Sequence, residues 1–200
     1  MIPRGTEEKA ISSGSSNTKQ YERQRLLDAV LSLKAVPDLS SIDLDQVARH
    51  AGLPEFAALC FDSREAFLVA LHREFLDRLL STVGGSMDAL PPGVERLQRG
   101  VDAFLDCCLQ HSSLRQQLLA LEKAMPDLGR VSSSRRSGFR IMLTMEVSGC
   151  GIFNGVEFAA LLRSRIEEAS LVEITHGGPR HDLREQIFAF VKGAAARRLS

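Results

Sequence analysis

Leu97, Val101, Phe104, Leu105 and Cys108 recur at i, i+4, i+7, i+8 and i+11. This spacing places one apolar stripe on a helix and leaves the intervening polar residues on the other side. The pattern repeats along the chain. Leu26, Leu27, Val30 and Leu33 form one stripe, closed by Pro37; Leu68, Leu71, Phe75 and Leu79 form a second. Two further stripes lie near the end: Phe158, Leu161, Leu162, Ile166 and Ala169, then Leu183, Ile187, Phe190, Val191 and Ala194. No stretch alternates with the period of two that a strand needs. The fold class expected is all-α.

Breakers divide these helices. Gly84, Gly85, Pro91, Pro92 and Gly93 form the densest cluster, and His176-Gly177-Gly178-Pro179 separates the last two helices. LRQQLLALEKAM reads as a helix that stops at Pro126. Between Gly129 and Gly155 the pattern is less regular, with a helix expected around Phe139 to Val147. Asp62 and Glu65, in D-S-R-E, have the spacing of a capping box that opens a long helix. The first 18 residues are rich in Ser, Gly and charge and read as a flexible tail.

The chain is 200 residues long and 44% hydrophobic, enough for a sizeable core. Lys+Arg 25 balances Asp+Glu 25, so no global charge surplus marks a nucleic-acid coat or a basic membrane binder. No apolar run reaches the roughly 20 residues of a membrane helix, and the N-terminus lacks the apolar core of a signal peptide. The expected location is cytoplasmic, without a membrane partner. Cys60, Cys107, Cys108 and Cys150 form no CxxC pair and read as small buried hydrophobes. Cys107 and Cys108 point about 100° apart on a helix, so both cannot face one partner. His50, His72, His111, His176 and His181 form no HExxH and no metal-ligand spacing, so no metal is expected. The sequence holds no GxSxG, P-loop or GxGxxG, and Gly149-Cys150-Gly151 follows no strand. Neither an enzyme nor a cofactor is expected.

RQRLLDAVLSL, then LDQVARHAGL, then Phe61-Asp62-Ser63-Arg64-Glu65-Ala66-Phe67 carry a resemblance. Over residues 20 to 70 the chain resembles the DNA-binding domain of the TetR (tetracycline-repressor-like) family of bacterial regulators. Val47, Ala48, Ala51, Gly52, Phe61, Arg64 and Glu65 fall on the family pattern. The resemblance implies a tail (1–18), a three-helix helix-turn-helix DNA-binding domain (19–65) and a helical-bundle ligand-binding and dimerisation domain (66–200). It implies a ligand-responsive transcriptional regulator, a repressor acting as a homodimer on a duplex DNA operator. Lys19, Arg23, Arg25, Pro54, Glu55, Phe56, Ala57 and Arg64 would meet DNA, with Arg4 and Lys9 as a tail arm. Phe104, Cys108, Leu118, Met125, Phe139 and Met142 would line a pocket for a small apolar ligand. Phe158, Leu161, Leu162, Ile166, Leu183, Ile187, Phe190 and Val191 would form the dimer interface.

The segment after Gly52 departs from the family. It has Phe56-Ala57-Ala58-Leu59 where the family carries Gly-Thr-x-Tyr, is one residue short, and places Glu55 near the duplex. From Lys19 to Leu80 there are eight basic residues against ten acidic, a net −2, whereas phosphate neutralisation supplies most non-specific DNA affinity. The alternative reading is therefore a TetR-like protein with a degenerate head that no longer reads DNA and acts as a ligand- or protein-binding partner.

Overall fold

The computed structural model describes residues 7–197, with the backbone alone described for residues 7–17, 55 and 56. Eight α-helices and no strand occur among the described residues. No helix among them is long and apolar enough to cross a membrane. The chain divides into two compact units, Met1–Glu74 and Phe75–Ser200.

The first unit holds α1 (Glu7–Leu31), α2 (Leu44–His50), a 3₁₀ segment (Glu55–Cys60) and the beginning of α3 (Arg64–Met87). α1 takes in much of the segment whose composition predicts a tail. Extending an existing helix costs less than nucleating one, which lets α1 run back beyond its apolar stripe. Leu26, Val30, Leu39, Ala48, Ala57, Phe67, Leu68 and Leu71 are fully buried in this unit. The burial of the last three explains why the unit ends inside α3, later than the Glu65 boundary expected from the sequence.

Seven residues are too few for a stable isolated helix, so α2 depends on its ends and its packing. The Asp43 carboxylate accepts from the Asp45 amide at 3.0 Å and caps its start. At its other end Gly52 has φ +62°. The Gly52 amide donates to the Arg49 carbonyl at 3.1 Å and the Leu53 amide to Ala48 at 2.9 Å. This is a Schellman stop, which favours the one residue that lacks a Cβ. It turns the chain directly into the 3₁₀ segment. α3 is capped one residue later than the sequence suggests: the Ser63 hydroxyl, not the Asp62 carboxylate, accepts from the Ala66 amide at 3.1 Å.

The second unit holds the rest of α3, then α4 (Val94–Gln110), α5 (Ser112–Glu122), α6 (Pro126–Gly149), α7 (Gly155–His176) and α8 (His181–Ala196). α3 continues through Gly84 and Gly85, where a break is expected. Leu79, Val83 and Met87 carry its buried stripe across them at i, i+4 and i+8. α6 likewise replaces the short helix and irregular stretch expected there. It spends one buried residue at Leu128, Ser132, Phe139, Leu143 and Val147 and leaves its arginines and serines largely outside. α7 packs against α4, α6 and α8. Gly177 ends it, donating to the Glu173 carbonyl at 2.9 Å.

Candidate functional site

In the first unit the 3₁₀ segment occupies the place expected for a recognition helix. Ala57, Ala58 and Cys60 face inward, while Leu59 is 76% exposed. Ala57 is wholly buried, so it cannot be a DNA contact as the sequence suggests. A six-residue 3₁₀ run repeats every three residues, which turns Ala57 and Cys60 onto one inner face. Pro54 is exposed at the start of the segment. The side chains of Glu55 and Phe56, and the residues proposed as a tail arm, Arg4 and the Lys9 side chain, lie outside the described residues.

α1 brings basic side chains to this segment. The Arg23 guanidinium lies 4.4 Å from the centre of the Phe61 ring, which in turn meets Phe67 edge-on at 5.1 Å. The positive charges of Lys19 and Arg23 both reach the Cys60 thiol. Burial, together with a 3.5 Å hydrogen bond to the Glu22 carboxylate, nevertheless raises that thiol's pKa. Arg25 donates to the Ala51 carbonyl at 3.4 Å, at the end of α2. Lys19, Arg23 and Arg25, from the middle of α1, thus lie around the turn and the segment. Arg64 is committed elsewhere, to the Ser40 carbonyl and to Glu65.

In the second unit, a cavity of about 20 Å³ lies among α3, α4, α6 and α7. Phe104, Phe139 and Met142 line it, with Phe104 and Phe139 stacked at 5.3 Å between ring centres. Cys108, Leu118 and Met125 do not. Cys108 and Leu118 are packed into the unit's core, and Met125 is the half-buried residue before α6. Burial pushes the Cys108 thiol up to about 12, against the nearby Arg115, and Cys150 up to about 11, so neither is an activated thiol. The cavity holds little more than one water as it stands. Met87 keeps it small: its sulfur sits where a Cβ on Gly100 would lie only 2.5 Å away.

Four residues expected at a dimer interface are used inside the unit instead. Leu162, Ile166, Ile187 and Val191 are each at most 3% exposed and belong to the main core. Phe158 stacks on Phe190 at 4.6 Å, with Arg165 lying 4.4 Å over the Phe190 ring, and Leu183 is half-buried. Leu161 alone of the eight is well exposed. Leu171 and Val172, which the sequence reading passed over, join it on the outer face of α7. Ala160 and Ser164 lie on the same exposed side, and Ala189, Gly193 and Ala196 are exposed on α8.

A buried charge cluster holds α8 in place. Arg184 clamps Glu173 of α7 through two bonds of 2.7 and 2.8 Å and reaches Asp106 of α4 at 2.8 Å. Burial acts to raise the Glu173 pKa, but the bonds from Arg184 and from the Arg180 amide outweigh it and hold the carboxyl low. No group of three or more metal-ligating side chains occurs among the described residues.

No family model and no curated relative matches the chain. Solved structures do. A transcriptional regulator from Rhodococcus sp. Rha1 superposes with a TM-score of 0.71 at 18% identity, over 86% of this chain and 95% of its own. A transcriptional regulator from Saccharomonospora viridis, solved in complex with choline, gives 0.73 at 16% identity, over 86% and 96%. A TetR-like transcriptional regulator from Rhodococcus sp. RHA1 gives 0.62 at 18% identity, over 88% and 96%. At such identities the likeness speaks for architecture, and the chain has the fold of the TetR-type transcriptional regulators.

Proposed function

We propose that this protein is a ligand-responsive transcriptional regulator, a repressor that binds a duplex DNA operator as a homodimer in the cytoplasm. The observation that carries this reading is in the head. α2, a tight stop at Gly52 and the following 3₁₀ segment make a helix-turn-helix, and Lys19, Arg23 and Arg25 of α1 gather beside it. In this reading those cations neutralise phosphates while Pro54 and Leu59 meet the groove. The outer face of α7, with Leu161, Leu171 and Val172 beside the small residues of α8, supports a two-fold contact with a second copy. The small cavity at Phe104, Phe139 and Met142 supports a small, mainly apolar ligand. One structural relative was solved in complex with choline, a precedent for a small-molecule ligand on a chain of this fold.

Selection of bound sequences from a random duplex pool, with salt titration, tests this directly. The expected result is a palindromic motif whose affinity falls steeply with salt, at a log–log slope of about −0.9 for each phosphate neutralised. Leu161→Glu with Leu171→Glu should convert the dimer to a folded monomer by light scattering at micromolar concentration. A wild-type monomer there would sink the dimeric reading.

A second reading has its own support. Ala57, Ala58 and Cys60 face the core and Leu59 faces solvent, so the side chains described in the segment bring an apolar surface and no hydroxyl. A head built this way would serve a protein partner better than a phosphate backbone. Folded, dimeric protein that enriches no sequence even at low salt would select this reading.

A further inference from the structure

The head carries a groove that neither DNA binding nor a ligand in the bundle uses. It lies between the end of α1, the segment from Ala35 to Asp43 with its 3₁₀ turn (Leu39–Ser41), and α2, and offers a half-open volume of about 490 Å³. That is the size of a small-molecule cleft, about 300–1,000 Å³. Ala29, Leu33, Val36 and Val47 are among its apolar lining residues, and Asp38 and Asp43, both exposed, line it as well.

Both carboxylates are held in fixed positions. Asp38 accepts from the Ser40 amide at 2.9 Å and from the Ser40 and Ser41 hydroxyls at 2.8 and 3.1 Å. The side-chain bond from Ser40, then the backbone bond, hold its carboxyl below the usual range, so it stays ionised at neutral pH. Asp43 uses one oxygen to cap α2. Arg64 lends its charge to Asp38 but directs bonds from its guanidinium to the Ser40 carbonyl and Glu65. No lysine or arginine lines the groove, and His50 is the one lining side chain able to carry a positive charge against the two carboxylates. An apolar lining with two anchored anions is complementary to a cation with an apolar body.

From this charge complementarity we infer that the head has a second small-molecule site, which takes an organic cation of aryl-alkylammonium type between α1 and α2. The apolar body lies on Leu33, Val36 and Val47, and the ammonium faces Asp38 and Asp43. The site is independent of the cavity in the bundle and of whether the head reads DNA.

The test uses the full chain with methyl-labelled leucine and valine, titrated with 2-phenylethylammonium and, separately, with 3-phenylpropionate, an anion of like shape. The expected result is saturable shifts of the Leu33, Val36 and Val47 methyls with the cation and none with the anion. Equal shifts with both, no shift up to 10 mM (an order-of-magnitude ceiling for roughly millimolar affinity), or shifts confined to the bundle would overturn the inference. Asp38→Asn with Asp43→Asn removes the charge but keeps acceptors for the Ser40 amide and for the cap of α2. This variant should stay folded and bind the cation about tenfold more weakly. Unchanged affinity in the folded double variant would equally overturn it.

Discussion

In the head, Arg23 lies over an aromatic ring and Arg25 reaches a helix-end carbonyl, both at the surface or half-buried. In the bundle, Arg184 is sunk between α4, α7 and α8 with both oxygens of Glu173 on its guanidinium. The same side chain braces a turn in one unit and crosslinks three helices in the other. The energetic consequences differ in kind. An exposed arginine remains solvated if its partner is lost, so its contact contributes little. A buried one leaves an uncompensated charge behind, so the pair is costly to break whatever its net worth when intact.

The contrast is sharpest at Arg184. Arg184→Ala should cost about 3–5 kcal/mol in urea unfolding of the bundle, because Glu173 is left buried with the Arg180 amide but without the guanidinium. Pairing Arg184→Met with Glu173→Leu should recover most of that loss. A loss below about 1 kcal/mol in the single variant would mean that Glu173 reaches water and the cluster is no brace. The same cluster predicts an acid limb. Glu173 has a folded pKa below its unfolded value, so its contribution is present above the unfolded value, about pH 4.3, and is lost as pH falls through the folded one. Glu173→Gln should flatten that limb of the stability-versus-pH curve.

The head should respond more weakly, and first at its backbone. Gly52→Ala forces a Cβ into the left-handed region and should cost about 1–2 kcal/mol, with the loss appearing in amide exchange around α2. Ser63→Ala removes the cap of α3 and should cost about 1 kcal/mol by thermal unfolding. Arg23→Ala should cost only about 0.5–1 kcal/mol, shrinking as salt is raised. An Arg23 effect as large and as salt-independent as that of Arg184 would erase the distinction between the units.

Much of this architecture is legible in the sequence. The spacing from Leu97 to Cys108 gives α4, and the Gly-Gly at 177–178 gives the end of α7. Other elements escape for identifiable reasons. α6 buries only Leu128, Phe139, Leu143 and Val147 among its apolar residues and hides a serine between the first two, so its period is faint. α3 crosses two glycines because the stripe around them is strong enough to outweigh their propensity cost. At the candidate sites, Lys19, Arg23 and Arg25 come from the family resemblance, and the helical period of α1 says nothing of what they meet. Which apolar face of α7 and α8 remains outside is not legible either, because periodicity shows that a stripe exists and not what covers it. Leu162, Ile166, Ile187 and Val191 therefore look like interface until their burial is seen. Leu171 and Val172 carry a signal, an apolar pair interrupting the polar side of α7, that marks the opposite face.

The approach of Met87 to Gly100 also bears on how any guest in the bundle is measured. With the thioether in place, the space holds about one water. A larger guest binds only the fraction of molecules in which that side chain has swung aside. Its observed dissociation constant is then the intrinsic one divided by that fraction. Trimming Met87 to alanine would raise the open population and tighten binding without adding a contact. The affinity read from the native protein would then report its conformational equilibrium as well as the guest.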